Sequence, residues 1–251
     1  MDNSKPPILP IAIVGGLIIL GVLVGAWWMS RRSAAPTQPV KAVTSTEAPI
    51  TTAPPPPLPP LDQMDPMMRS LLGALSNHPE LAKWLATDGL IKQLAMAIDA
   101  AAQGKTPSRN FKVVAPSASF ATVRRNNRRA IDPAGYKRYH ALVSAVTSMD
   151  ASGVAKVYKT IKPRLNEAYR NSGHPDGDID QAVQAAIDTL LETPVVPDPV
   201  VVVEGKGALW LFADSKLEGL TASQKQLLRM GPENVDAMLV WLRSLQAGLK
   251  Q

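Results

Sequence analysis

Between Ile8 and Met29 the chain reads ILPIAIVGGLIILGVLVGAWWM, with no charged side chain. About 22 residues at roughly 1.5 Å rise each make a helix of about 33 Å, enough to cross the hydrocarbon of a bilayer. A cleaved signal peptide needs a shorter apolar stretch and a small-residue cleavage site. This run ends instead in Trp27, Trp28 and Met29, with Arg31 and Arg32 just beyond. That order fits an interfacial aromatic belt followed by headgroup contacts. The expectation is an uncleaved single-pass anchor over residues 8–29, embedded in lipid, behind a short tail of residues 1–7. Gly21 and Gly25 form a small-xxx-small pair, a spacing that lets two copies approach as a homodimer.

Two features of the flanks disagree about orientation. Lys5 lies on the N-side of the run and Arg31, Arg32 and Lys41 on the C-side, which by the positive-inside rule favours a cytoplasmic C-terminal region. Residues 30–60, however, are rich in Pro, Thr, Ser and Ala, including Pro54 to Pro57. Such a segment cannot bury a core and prefers extended polyproline II, about 3.1 Å per residue. A stiff tether suits a domain held away from the inner membrane, so the expected location is the periplasm. The chain has no cysteine, which removes any disulfide argument about compartment.

Residues 61–251 are expected to form one mainly α-helical globular domain with two small β-hairpins. Asp65-Pro66, His78-Pro79, Asp88, Asp132-Pro133, Asp150 and Asp178 or Asp180 stand before apolar residues at helical spacing, as caps and first-turn prolines do. Gly104 and Gly173 stop two of these helices. Thr221 with Gln224 spells a capping box, and Gly231-Pro232 separates the last two helices. FATVRRNNRRAI, from Phe120 to Ile131, alternates weakly around Asn126-Asn127, residues that tolerate the positive φ of a tight hairpin turn. A β-branched run through Val203, turn glycines at Gly205 and Gly207, and apolar residues through Phe212 predict the second hairpin.

Catalytic signatures are absent. With only His78, His140 and His174 and no cysteine, thiolate and His-rich zinc sites are excluded or thin. There is no G-x-S-x-G elbow, Walker A loop or H-E-x-x-H, and no cofactor or metal is expected. Asp176, Asp178 and Asp180 alternate like calcium ligands, but Ile187 stands where a calcium loop needs its bidentate Glu. A helix cap explains them better. The candidate binding site is basic instead: Arg124, Arg125, Arg128 and Arg129 flank one hairpin turn, with Lys137 and Arg138 close behind. Such a tip can grip an anionic polymer, lipid headgroups or nucleic acid, and envelope proteins are further candidate partners. Charges that guard an edge strand against aggregation are the plainer explanation. The first 60 residues hold four of the 27 basic and two of the 21 acidic side chains. The remainder, 23 against 19, is too balanced for a dedicated nucleic-acid binder. Trp241 falls off the apolar stripe of the last helix and is a candidate contact residue. Against a non-enzymatic binding or scaffolding domain stand two alternatives. One is an envelope enzyme whose His174, Asp176, Tyr136 and Arg138 meet in a pocket, and the other is a cytoplasmic domain using the Arg hairpin.

A series of short segments carries a resemblance. L-P-x-L-D from Leu58, H-P-E-L-A-K-W-L-A-T-D from His78, I-D-P-A-G-Y from Ile131 and L-N-E-A-Y from Leu165 occur in order. G-H-P-D-G from Gly173, T-P-V-V from Thr193, F-A-D from Phe212 and Q-L-L-R-M-G-P-E-N from Gln226 follow. As a set these resemble the bacterial domain-of-unknown-function family 3014. The resemblance implies an anchored, envelope-located protein of similar layout and supplies no catalytic residues.

Overall fold

Local signals build most of the helices. The computed structural model describes residues 57–116, 118–207 and 209–251. The anchor run 8–29, its Gly21–Gly25 pair and most of the 30–60 linker lie outside those residues. Among the described residues no helix is long and apolar enough to cross a membrane.

Helix α1 (Asp65–Gly73) and α2 (Pro79–Leu85) lead into α3 (Leu90–Ala102). A 3-10 segment over Pro107–Val114, which the sequence pattern does not announce, connects α3 to the first hairpin. That hairpin pairs β1 (Thr122–Arg125) with β2 (Arg128–Ile131). Asn126 and Asn127 have φ of 46° and 61°, the positive values a two-residue type I′ turn needs at both central positions. A 3-10 stretch over Pro133–Tyr139 follows, then α4 (His140–Thr147), α5 (Ala151–Asn171) and α6 (Ile179–Leu191). The second hairpin pairs β3 (Val202–Glu204) with β4 (Trp210–Phe212). The short α7 (Ser215–Glu218), α8 (Ala222–Leu228) and α9 (Pro232–Leu249) complete the chain.

Several caps are those the sequence announces. The Asp150 carboxylate accepts from the Gly153 N–H at 2.7 Å, and Asp178 from the Asp180 N–H at 3.0 Å. Thr221 and Gln224 form a reciprocal capping box. Asp65 and Asp88 depart from their expected roles. Asp65 caps not its own helix but the start of α3, accepting from the N–H groups of Gly89 (2.7 Å) and Leu90 (2.9 Å). Gly89, at φ 70°, stands at the N-cap position of α3, and no side chain of that residue can cap it. Asp88 makes no cap; it faces solvent and takes a 3.2 Å bond from Arg69. One carboxylate thus ties α1 to the first turn of α3 and satisfies two donors that a helix start leaves orphaned.

The long helices gather around one core and the hairpins around another. Met64, Met68, Leu90, Ile91, Ile161, Leu165 and Ile179 are fully buried where α1, α3, α5 and α6 meet. Helix α9 lies across α4, α5 and α6, and Leu227, Val235 and Leu239 form a satellite cluster with α8. At the hairpin end Ile131, Tyr136, Val200, Val202, Phe212 and Leu228 close a third cluster. The two hairpins also join edge to edge: Ala130 bridges Val201, and the Ile131 N–H donates to the Val200 carbonyl at 2.9 Å. On the linker side, Arg164 of α5 donates to the carbonyls of Pro59 (2.8 Å) and Leu58 (3.0 Å).

Candidate functional site

The basic tip is built by register. Pairing places Arg124 opposite Arg129 and Arg125 opposite Arg128, and all four are exposed. Directly opposed like charges on a hairpin are destabilising. Among the described residues no carboxylate forms a salt bridge with any of them. The buried Ala130 and Ile131 at the base hold the strands together, so the repulsion is carried by packing below the tip.

The five arginines do not act alike. Arg129 is drawn inward: its guanidinium donates to Thr122 Oγ1 at 3.2 Å and sits 5.4 Å from the Trp210 ring centre. Arg138 belongs to the scaffold, donating to the Ala118 carbonyl and the Tyr139 hydroxyl, each at 3.1 Å. It also lies over the rings of Phe120 and Tyr139. Arg124, Arg125 and Arg128 make no side-chain hydrogen bond among the described residues. The free cationic surface is therefore those three, with Arg129 at its edge.

The residues proposed for an enzyme pocket are not brought together. His174 stacks on Tyr169, ring centres 4.4 Å apart, with its Nε2 3.0 Å from Asp99 Oδ1 at the end of α3. Asp176 is exposed. Tyr136 belongs to the hairpin cluster, where its hydroxyl donates to Asp198 at 2.8 Å and its ring packs against Gly231. Burial, with that carboxylate, pushes the Tyr136 hydroxyl well above the ordinary tyrosine range. It would not release a proton near neutral pH. Among the described residues no group of three acidic, His or Cys side chains is placed to hold a metal.

Trp241 is half-exposed, as its place off the apolar stripe predicts, and its indole N–H donates to the Met149 carbonyl at 2.8 Å. Its ring also joins the wall of a feature that the sequence pattern does not announce. Between α3, α5, α6 and α9 lies a cavity of about 370 Å³, within the range of small-molecule sites. Among the described residues its wall is almost wholly aliphatic and aromatic, and Glu80 is the single charged residue in it. Ala97, Ala101, Ala145 and Ala186 face it, small side chains at positions where leucine would fill a core. The wall's polar tips are occupied: Trp84 donates to Gln93, Tyr158 to Asp180, and Glu80 takes Lys83. Water needs two to four polar partners to settle in such a space. The only sequence trace of it is a set of alanines among larger apolar residues on the helical stripes.

The fold is that of a mainly helical domain with two small antiparallel β-hairpins. A family model described as a protein of unknown function (DUF3014) matches residues 90–246, and the chain belongs to that family. The matched span runs from the first residue of α3 into α9, so the resembling segments at Leu58–Asp62 and His78–Asp88 lie outside it. No curated protein and no solved structure matches the chain.

Proposed function

We propose that this is a single-pass protein of the bacterial inner membrane that presents a non-enzymatic binding or scaffolding domain to the periplasm. The uncharged run Ile8–Met29 supports the anchor, and the Pro-rich segment behind it supports a domain held off the bilayer. The observation that carries the binding role is the register of the first hairpin. Arg124, Arg125 and Arg128 stand exposed, in like-charge pairs, with no countercharge among the described residues. An anionic polymer or an acidic envelope protein laid across the tip would relieve that repulsion with charge-assisted hydrogen bonds.

Two measurements test the reading. Because the chain lacks cysteine, Ser45→Cys and Ser244→Cys can be labelled one at a time in intact cells, with a maleimide that crosses only the outer membrane. Labelling of both without lysis of the inner membrane is expected; protection until lysis would put the domain in the cytoplasm. The second is binding of polyphosphate, as a model anionic polymer, to the full chain in zwitterionic nanodiscs. Changing Arg124, Arg125, Arg128 and Arg129 to Ser should weaken binding at least about tenfold and flatten its salt dependence. Unchanged binding and salt dependence in the quadruple variant would refute the role of the tip.

A further inference from the structure

We infer that the apolar cavity between α3, α5, α6 and α9 is a binding site for the aliphatic chain of one fatty acid. Among the described residues the lining offers no free polar atom, so what enters is apolar along its buried length. Its size selects one chain rather than two. At roughly 30 Å³ per methylene-sized unit, the share a water takes in its liquid, 370 Å³ holds about a dozen carbons. Trp241 and Leu249 both line the cavity, so its wall follows α9 for about 12 Å of helix. That length suits an extended chain.

The packing agrees. Leu94, Ile98, Leu142, Met149, Leu245 and Leu249 all line the space and none is fully buried. Each lacks contacts on one side that an inserted chain would supply. The polar end of the ligand is assigned to the wall at Tyr158, where Lys162 is the cation for its carboxylate. The Tyr158 ring lines the cavity, while its hydroxyl bonds Asp180, which also pairs with Lys162. Those two side chains are 46% and 43% exposed, so the apolar wall meets water there. This site is separate from the Arg tip, and either can hold if the other fails.

The test uses the full chain in phospholipid nanodiscs and a diazirine-bearing dodecanoic acid. After photolysis, adducts are mapped by peptide mass spectrometry. Adducts within residues 94–101, 154–161 or 241–249 are expected, competed away by unlabelled dodecanoate. The cavity-filling variants Ala97→Leu and Ala186→Leu should cut those adducts about tenfold or more, while labelling of residues 8–29 by the same probe stays constant. Both variants should also raise the thermal midpoint, because a hollow site accepts the added carbons whereas a filled core is strained by them. Adducts confined to residues 8–29, or a lowered midpoint in both variants, would overturn the site. A diazirine-bearing phosphatidylcholine that labels the cavity where the free acid does not would overturn the one-chain assignment.

Discussion

The hairpin tip and the helical core leave opposite kinds of surface unsatisfied. At the tip, Arg124 faces Arg129 and Arg125 faces Arg128, so charge accumulates with no countercharge among the described residues. Among the helices several charges are paired, Lys162 with Asp180 and Arg164 with Glu167 at 2.6 Å. What goes unmatched there is apolar surface, around the cavity of about 370 Å³. The tip sits on a small cluster of six buried side chains, and its strain is electrostatic and screened by salt. The hollow sits in the largest cluster, and its deficit is one of contact, which salt does not relieve. The two features share no residue.

The largest effect that would sharpen this contrast comes from Asp65. Asp65→Ala orphans the Gly89 and Leu90 N–H groups at the head of α3. It should cost about 1–3 kcal/mol in denaturant unfolding, against no comparable loss when a tip arginine is removed. A loss equal at both places would erase the distinction between a scaffold held by specific bonds and a tip that is not.

A smaller effect should appear on acidification. Burial raises the Asp180 carboxyl, but the bonds from Lys162 and Tyr158 outweigh it and hold the group below its ordinary range. Glu218 is lowered chiefly by its 2.7 Å bond to Lys225, joined by the Phe212 N–H. For a lowered carboxyl the stabilisation is present above the unfolded value, about pH 4. It is lost as pH falls through the lower folded value. Unfolding midpoints should therefore drop below about pH 4, and Asp180→Asn should remove part of the dependence among the helices. Glu218→Gln should do so near β4. The arginines of the tip stay charged throughout, so polyphosphate binding by protein that is still folded should not follow the same curve.

The smallest change is expected at the tip itself. Arg128→Glu turns the Arg125–Arg128 pair into opposite charges, which should stabilise the hairpin by about 0.2–1 kcal/mol while weakening polyphosphate binding. A variant that becomes less stable would show that the arginines are not repelling one another.

The sequence determined the elements whose cause is local. Caps such as Asp150, the Thr221–Gln224 box and the positive-φ turn at Asn126-Asn127 act over a few residues, so their spacing can be read directly. The basic tip was legible for the same reason, since a two-residue turn fixes which arginines oppose. Tertiary structure decided everything whose partner is remote. It moved Asp65 to the head of α3, joined the hairpins through Ala130 and Val201, turned Arg138 into scaffold and drew Arg129 against Trp210. It also opened the cavity. Each helical stripe looks like an ordinary core face, and whether such faces fill the space between them depends on summed volumes from many segments of chain. No periodicity within one segment records that sum.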